Sequence, residues 1–525
     1  QLCSGIINPR TGKMNVTKLS KNSLTETADG QAFNPTDPNG EGYDVFLYLP
    51  KYWYKGVNDY KNARKHFFVS ANDECPVSDA NTIRYAMSEV LYVSGKALDN
   101  RIYEEGDQVD AILVTATEFS VYKVPVDGMK QVRFPGINHS YFSHLFTDED
   151  GAVISIDNLL MADVSGNPAD FMNDEGDYDF RTVPEGAKYF YFCCRNASAA
   201  KSGVEVIVTD SSEVEAIEPD WVEHKPELIG VYQGYAAGIT TGGTPTSGLR
   251  SISGKTVSRG SGTATQVAAW TYDSDGNPTA LNTSTRINGT AQDFFNLASV
   301  RTAQTEVQNG EYSTVPYETS KDMANLLMAW FGTRDIETIV GRGSRAGETT
   351  GVRNSIAFGD SDYPAQNKHN KMWGLEYWTA SSYEWMDKGC LNTPTFAAFK
   401  KNERNAPTGS SIDYYYNIVQ QDGNERRVKV ATANQTSNVA RVRFGRYCDI
   451  VAGSYAGDSN YATCYAAYQS SNAATGRVLG RSYHGARVGA GVAYSSTGNA
   501  SSYSSENFGG RLCFFGEIEN EEELQ

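Results

Sequence analysis

Hydrophobic residues along this chain fall mostly in short aromatic or alternating runs, which is the pattern of β-strands. The first run, Tyr43–Tyr54, is rich in aromatic and branched residues and is interrupted only by Pro50. A second run, His66–Val69, follows a polar stretch, and a last run, Arg511–Phe515, precedes an acidic tail. All three runs are predicted to form strands.

From Cys75 to Pro219 the runs are separated by acidic turns, and strands at this spacing predict a β-sandwich. The acidic turns at 148–151 and 173–177 suit either calcium loops or ordinary turns. Neither has the full ligand spacing with a closing glutamate, which favours ordinary turns. The predicted strand runs are Val109–Leu113, Phe119–Val124, Val153–Ile156, Lys188–Phe192 and Val204–Val208.

Two later segments have the pattern of amphipathic helices that pack on a sheet. In the first, Thr290 is placed to cap the helix and Asp293 occupies the third position, with Phe294 on the apolar face. The second is predicted to be capped by Ser320 and to end at Gly332. Its apolar face consists of Met323, Leu326, Leu327 and Trp330.

The composition favours a folded, β-rich protein, because the chain has 49 glycines and 40% hydrophobic residues but few long helical patterns. Its formal net charge of −17 repels phosphate backbones, so nucleic acid is not expected as a partner. One basic stretch is the local exception, and it is interpreted as solvated strand edges rather than an anion site. It comprises Arg426, Arg427, Lys429, Arg441, Arg443 and Arg446.

Several classes of protein are disfavoured by missing signals. No apolar run is long enough to cross a bilayer and no signal peptide is recognisable, so membrane insertion is not expected. The eight cysteines are too sparse for a disulfide scaffold and form no CxxC pair, so buried thiols are expected. The sequence contains no GxSxG, HExxH or phosphate-loop motif, and its six histidines do not have the spacing of a metal site. No enzyme activity, metal or cofactor is therefore predicted.

The segment Val451–Ser504, called here the tyrosine-rich segment, differs from the rest of the chain. Tyrosine, glycine, serine, alanine and asparagine make up 39 of its 54 residues. This composition suits either a low-complexity linker or a surface built like an antibody paratope, in which tyrosine supplies rigid amphipathic contact area. Seven spread tyrosines, a scaffold-like island at Gly476–Ser482 and aromatic strands on both sides favour the binding surface.

The residue types in this segment also match a mutational alphabet. Randomising the adenines of an asparagine codon that ends in C or T yields residues such as tyrosine, serine, aspartate, alanine and glycine. It cannot yield lysine, glutamate, glutamine, methionine or tryptophan. The tyrosine-rich segment keeps to this alphabet except at Gln469, which fits targeted adenine mutagenesis.

A set of motifs distributed over about two-thirds of the chain carries a family resemblance. The motifs are Asp44–Tyr54, Ser320–Gly343, Gly374–Glu376, Tyr383–Asp387, Gly445–Ile450, Val478–Ser482 and Gly509–Leu512. Together they resemble the variable proteins of diversity-generating retroelements, in particular tail-fibre or receptor-binding proteins of phages that infect gut bacteria.

The resemblance implies an α+β fold, namely a C-type-lectin-like (formylglycine-generating-enzyme-like) domain with an inserted β-sandwich domain. The family pattern does not explain the insert, whose strand texture suits an additional adhesion or spacer module. The expected domains are an N-terminal segment at 1–29, the C-type-lectin-like domain at 30–75 and 220–518, the inserted β-sandwich at 76–219, a hypervariable region at 451–508 and an acidic tail at 519–525.

The resemblance implies an adhesion protein that recognises a host cell-surface receptor, either a protein or a glycan. Its implied location is the tip of a phage tail fibre, in the virion, or a cell surface. The resemblance implies a homotrimer in contact with other tail proteins, and several linked sites would offset weak single-site binding. The alternatives are a structural fibre or surface-decoration protein without variable ligand binding, or a bacterial surface-displayed variable protein.

The same fold family includes enzymes that oxidise cysteine to formylglycine with an activated, exposed cysteine pair. Here Cys193 and Cys194 are adjacent in a predicted strand, so one buried and one exposed thiol are expected and catalysis is not. The residues expected to contact ligand, largely exposed on one face and on loops, are Tyr455, Asp458, Asn460, Tyr461, Tyr465, Tyr468, Asn472, Tyr483, His484, Arg487, Tyr494, Asn499 and Tyr503.

Overall fold

The chain forms two units that are each built mainly of β-strands. The computed structural model describes residues 1–59, 64–76, 80–99, 104–135, 144–154, 178–199, 205–212, 221–237, 248–260, 267–272, 278–287, 289–299, 301, 309–332, 337–340, 350–351, 371–379, 383–392, 395–399, 425–429, 436–444, 450–456, 465–467, 477–482, 495–500 and 503–525. Unit 1 consists of Gln1–Lys51, Lys225–Val442 and Ala452–Gln525. Unit 2 consists of Tyr52–His224 and Arg443–Val451.

The strands up to residue 230 are β1 (Leu2–Ile7), β2 (Met14–Lys18), β3 (Asp44–Leu49), β4 (Tyr52–Asp59), β5 (Arg64–Ser70), β6 (Thr82–Ala86), β7 (Leu91–Leu98), β8 (Leu113–Pro125), β9 (Gln131–Pro135), β10 (His144–Thr147), β11 (Tyr178–Thr182), β12 (Tyr189–Arg195), β13 (Glu205–Thr209), β14 (Val222–His224) and β15 (Glu227–Gly230). The later strands are β16 (Tyr235–Ala237), β17 (Gly248–Arg250), β18 (Val267–Tyr272), β19 (Pro278–Ile287), β20 (Gly310–Thr314), β21 (Lys371–Met372), β22 (Leu375–Glu376), β23 (Tyr383–Asn392), β24 (Thr395–Phe399), β25 (Glu425–Lys429), β26 (Thr436–Phe444), β27 (Ile450–Ala456), β28 (Tyr465–Ala467), β29 (Arg477–Arg481), β30 (Ser495–Ala500), β31 (Phe508–Gly509) and β32 (Leu512–Gly516). The helices are α1 (Asn196–Ala199), α2 (Ala291–Ser299), α3 (Tyr317–Phe331) and α4 (Glu337–Val340), with short 3-10 turns at Val109–Ile112 and Glu521–Glu523.

The central sheet of unit 1 joins the two ends of the sequence. Its strand order is β2-β1-β3-β15-β32-β20, so the predicted terminal strand lies in the interior of the sheet. The predicted aromatic run near the start is confirmed as β3 and β4, which are separated at Pro50. The core packed on this sheet is apolar and includes Phe46, Phe294, Trp385, Phe508 and Phe514.

The first helix begins as the sequence predicts. The backbone N–H of Asp293 donates to Oγ1 of Thr290 at 3.4 Å, and the Asp293 carboxylate accepts from the Thr290 N–H at 2.8 Å. These two bonds form a capping box, which satisfies donors that the first turn of a helix leaves without partners. The face with Phe294 is buried, so α2 packs on the core of unit 1.

The second helix differs from its prediction at its start and in the burial of its last turn. It begins at Tyr317 after Pro316, so Ser320 lies inside the helix rather than at its cap, while Gly332 ends it in the left-handed conformation as predicted. Met323 and Leu327 are buried, but Trp330 is 71% exposed. Residues 329–332 are all exposed or partly exposed, because the amphipathic pattern continues past the surface that buries the helix.

A buried ion cluster ties an early loop of unit 1 to β17. Asp44 accepts from Nε of Arg250 at 3.0 Å and also from Arg301, and Nη2 of Arg250 donates to Asp37 at 2.8 Å. All four side chains are almost fully buried. Buried charges are stable only when they are paired and hydrogen-bonded. The pairing therefore holds the loop around Asp37 in one position against β17.

Unit 2 contains two four-stranded sheets with one core between them. The strand orders are β10-β12-β8-β7 and β11-β9-β13-β6. Aromatic and branched residues from both sheets meet in that core, among them Phe134 from β9, Phe190 and Phe192 from β12 and Val206 from β13. A separate sheet, β14-β4-β5, contains the predicted run His66–Val69. The two units divide the chain after Lys51 and before Lys225. The domain boundaries at 75 and 219 remain a prediction.

Two local predictions in unit 2 are wrong. Val109–Ile112 is a 3-10 turn, and the strand starts only at Leu113. Cys193 and Cys194 point to opposite faces of β12 as expected, but both thiols are fully buried. Cys194 lies in the core between the sheets and Cys193 lies in a second apolar cluster on the outer face, so both faces of β12 are covered.

Candidate functional site

The tyrosine-rich segment contributes four strands to one large sheet. The order of that sheet is β25-β24-β23-β29-β30-β28-β26-β27, and β31 pairs with β23. Strands β28, β29 and β30, and β27 from its second residue onward, come from the tyrosine-rich segment, and β23 and β26 come from the sequence before it. Backbone pairing to a sheet argues against the linker interpretation for these strands, because a linker has no fixed hydrogen-bond partners.

The register of the sheet places several predicted ligand residues on strands rather than loops. Tyr455 lies in β27, and Tyr465 begins β28 directly opposite Asn438 of β26. Asn499 lies in β30 opposite Val478 of β29. The prediction that these residues occupy loops is therefore wrong for Tyr455, Tyr465 and Asn499, because the composition of the segment does not report the backbone pairing.

The exposure of the predicted residues is known at two positions. Tyr503 is 42% exposed, as expected, whereas Asn499 is half-buried and so is not largely exposed. The expectation of one contiguous face remains a prediction. The predicted residues that lie outside the described part of the chain are Asp458, Asn460, Tyr461, Tyr468, Asn472, Tyr483, His484, Arg487 and Tyr494.

Tyr503 stands on an aromatic stack that reaches into the core. Its ring meets the ring of Phe508 edge-on, with 5.6 Å between centroids. Phe508 in turn stacks on Tyr383 at 4.6 Å and on Trp385 at 4.2 Å. Trp385 and Phe508 are buried, so the exposed tyrosine is held by rigid neighbours. A preorganised aromatic side chain loses little entropy on binding.

The scaffold-like island is anchored by a buried cluster of one glutamate and two arginines. Both oxygens of Glu384 in β23 accept from Nε of Arg511 at 3.1 Å, and Oε2 also accepts from Arg481 of the island. The three side chains are at most 3% exposed. We call Glu384, Arg481 and Arg511 the arginine–glutamate cluster.

Backbone carbonyls and an aromatic ring complete the cluster. Arg511 also donates to the carbonyls of Gly230 and Val231 at 2.9 Å, and to that of Glu376 at 2.6 Å. The guanidinium of Arg481 lies 3.4 Å from the ring centre of Trp378. Burial lowers the pKa of Arg481 to about 10, although Glu384 opposes the shift, so the arginine stays charged at neutral pH.

The anchored island behaves as framework inside a segment of different composition. Gly480, Arg481 and Ser482 are buried, in agreement with the scaffold-like interpretation of the island. Ser482 has a φ of 62°, a left-handed conformation that a serine adopts only when its surroundings hold it there. The arginine–glutamate cluster next to it supplies such a constraint, through Arg481.

The Gly509–Leu512 motif has a packing explanation. A Cβ at Gly509 would lie 2.9 Å from the carbonyl oxygen of Ser258, and a Cβ at Gly510 would lie 3.0 Å from the ring of Phe294. Side chains at these positions would push the strand away from its neighbours. The two glycines therefore allow Arg511 to reach the buried cluster.

The sequence analysis did not identify three residues in or next to this cluster: Glu384, Trp378 and Gln233. Gln233 is buried, and its Nε2 donates to Oε1 of Glu384 at 3.4 Å. Glu384 belongs to a quoted motif, but its role shows only when its partners are known. A carboxylate between Tyr383 and Trp385 in an apolar strand was the available signal, because a charge in such a run needs a buried counter-ion.

Other kinds of site find no support in the part of the chain that the structure describes. No group of three or more His, Cys, Asp or Glu residues there could hold a metal ion. Within the same ranges, no helix is long and apolar enough to span a membrane. Burial raises the pKa of Cys194 to about 12, so this thiol is a poor nucleophile at neutral pH.

Comparison with known proteins assigns no family to the chain. No protein-family model matches the sequence, and no curated protein sequence matches it.

Proposed function

We propose that the chain is a receptor-binding adhesion protein that displays a diversified, tyrosine-rich surface on a C-type-lectin-like framework. The observation that carries the proposal is the pairing of β27, β28 and β29 with framework strands, together with the burial of the island through Arg481. Such a sheet lets surface residues change while the fold persists. This is the requirement for a variable binding protein, and a passive tail has no need of it.

The energetic basis is the same as in other tyrosine-rich binding surfaces. Tyrosine offers a large apolar ring with a hydroxyl at its tip, and glycine and serine around it leave the ring accessible. Tyr503 shows this arrangement, with an exposed ring supported by Phe508. A few such residues supply most of the free energy of binding, at about 2 kcal/mol or more for each hot spot.

The resemblance to retroelement variable proteins supports a more specific version of the proposal. In it, the protein forms a homotrimer at a phage tail-fibre tip, contacts other tail proteins and recognises a protein or glycan on a bacterial surface. The same surface would also serve a variable protein displayed by a bacterium. In both cases the site is extracellular and acts without catalysis.

A binding screen with the full chain tests the proposal. Labelled protein is incubated with a panel of gut bacterial strains, and bound protein is measured by flow cytometry. We expect binding to some strains, and at least a tenfold loss for the triple variant Tyr461→Ala, Tyr465→Ala, Tyr468→Ala with an unchanged thermal midpoint. Tyr43→Ala, outside the segment, is the matched control and should bind like the parent.

Two outcomes would overturn the proposal. Binding that the triple variant retains in full would place the ligand elsewhere. A triple variant that unfolds while the residual folded protein still binds would show that the tyrosines are core, which favours a structural fibre or surface-decoration component. Light scattering tests the trimer separately, since a monomer at micromolar concentration would contradict it.

A further inference from the structure

Unit 2 carries three tyrosines around one lysine. Lys123 lies in β8, and its Nζ is 3.8 Å from the ring centre of Tyr189, 5.6 Å from that of Tyr191 and 5.8 Å from that of Tyr92. We call these four residues the lysine–tyrosine patch. Tyr191 belongs to the apolar cluster on the outer face of the sheet, so the patch faces away from the core between the two sheets.

The strand register builds the patch. Lys123 is directly opposite Tyr191 in the β8–β12 pairing, and Tyr189 lies two residues earlier in β12, on the same face. Tyr92 sits at a register shift in β7, and its ring meets that of Tyr191 edge-on at 5.6 Å. Bulges of this kind re-aim a side chain, which here brings Tyr92 over the sheet.

The patch is open to solvent and stands on a fixed base. Tyr92 is 40% exposed, and Tyr189 and Lys123 are half-buried. Tyr191 is buried and forms the floor. The Tyr92 hydroxyl donates to the carboxylate of Asp110, which holds the ring in place.

Among the described residues, Lys123 has no carboxylate partner, whereas the nearby Lys188 and Asp110 each have a polar partner. Lys188 pairs with Asp127 at 2.8 Å, and Asp110 accepts from Tyr92. Within the described residues, the Lys123 ammonium has neither a carboxylate nor a hydrogen-bond acceptor and lies only over rings. Its three donors can serve an anionic ligand, and a charge-assisted hydrogen bond to a carboxylate is stronger than one to a neutral acceptor.

We propose that the lysine–tyrosine patch binds a sugar residue that carries a carboxylate. The apolar C–H face of the sugar packs on the rings of Tyr189 and Tyr92, and the sugar carboxylate accepts from Nζ of Lys123. The exposed Asp110 carboxylate can accept from a sugar hydroxyl. This site lies in unit 2, is built from residues outside the tyrosine-rich segment and does not depend on the function proposed for that segment.

Calorimetric titration of the full chain tests the site. The probes are oligosaccharides that end in glucuronate, galacturonate or sialate, each compared with its methyl ester, which removes the charge and keeps the ring. We expect at least one acid to bind, and its ester to bind at least tenfold more weakly. Lys123→Met should also reduce affinity at least tenfold, while Lys123→Arg should keep most of it.

A matched control separates the site from general charge effects. Lys96 lies in β7 of the same sheet and donates to Oγ1 of Thr115 at 3.2 Å, so Lys96→Met should bind like the parent. Tyr189→Ala keeps the charge but removes the main ring and should lose binding as well, which preserves the test if Lys123→Met fails to fold. The triple tyrosine variant of unit 1 should bind the acid normally.

Three results would each overturn the inference. They are absence of binding by all three acids, equal affinity for an acid and its ester, and unchanged affinity in folded Lys123→Met. Circular dichroism and the thermal midpoint establish that each variant is folded.

Discussion

Replacing Glu384 by glutamine tests whether the arginine–glutamate cluster anchors the scaffold-like island. The substitution keeps the shape of the side chain but removes the negative charge between Arg481 and Arg511. All three residues are almost fully buried, so water cannot take the place of the lost carboxylate. Breaking a buried ion pair by removing one partner costs about 3–5 kcal/mol.

The contacts of the two arginines decide how that cost is distributed. Arg511 keeps its bonds to the backbone carbonyls of Gly230, Val231 and Glu376. Among the described residues, Arg481 keeps the backbone carbonyl and the ring of Trp378 as its contacts. We therefore expect the local structure around Arg481 to loosen first, in β29 and at Ser482.

Urea unfolding followed by tryptophan fluorescence measures the effect, because Trp378 and Trp385 lie beside the cluster. We expect Glu384→Gln to lower the unfolding free energy of unit 1 by about 3–5 kcal/mol at unchanged m-value. Hydrogen exchange should show lost protection at 477–482. Glu517→Gln breaks the surface pair with Lys13 and should leave the midpoint nearly unchanged, since exposed pairs contribute little. A loss below about 1 kcal/mol, or one equal to that of the control, would refute the anchoring role.

Three further predictions concern unit 1. Trp385→Ala should lower the unfolding free energy by about 3–5 kcal/mol, since its buried ring stacks in the core, whereas Tyr503→Ala should not shift the thermal midpoint; equal shifts would contradict this. Thr290→Ala should cost about 1 kcal/mol through the lost cap, and Thr290→Ser should restore most of it in urea unfolding. Burial raises the pKa of Glu376 above its ordinary 4.5, although Lys371 opposes the shift, so stability should fall as pH rises from 4.5 through the raised pKa. Glu376→Gln should flatten that fall, and an identical slope in both proteins would count against the argument.

Local features could be predicted well from the sequence because they depend on neighbouring residues. The break at Pro50, the capping box of Thr290 and the left-handed end of α3 at Gly332 follow from the chemistry of a few adjacent positions. Alternation within β12 also correctly placed Cys193 and Cys194 on opposite faces. It could not show that both faces are covered, because coverage depends on distant strands.

The basic stretch also shows the difference between what local sequence predicts and what strand pairing decides. Arg426, Arg427 and Lys429 lie in β25, which is an edge strand as expected of solvated strand edges. Arg441 and Arg443 lie in β26, which has β28 and β27 as its neighbours, and Arg446 lies outside the described residues, so the solvation of these three side chains remains a prediction. Sequence charge indicates exposure, but the position of a strand in its sheet is decided by pairing.

By itself the sequence determined the β-rich character of the chain, the two main helices and the unusual composition of the tyrosine-rich segment, because each depends on residue types within short windows. Tertiary structure decided which strands carry that segment, how far α3 is buried, and how Glu384 meets its partners. Glu384 is 97 residues from Arg481 and 127 from Arg511, and a pairing at such separation leaves no local pattern. The cost of a buried charge without a partner makes these contacts necessary, and only the folded chain shows which residues provide them.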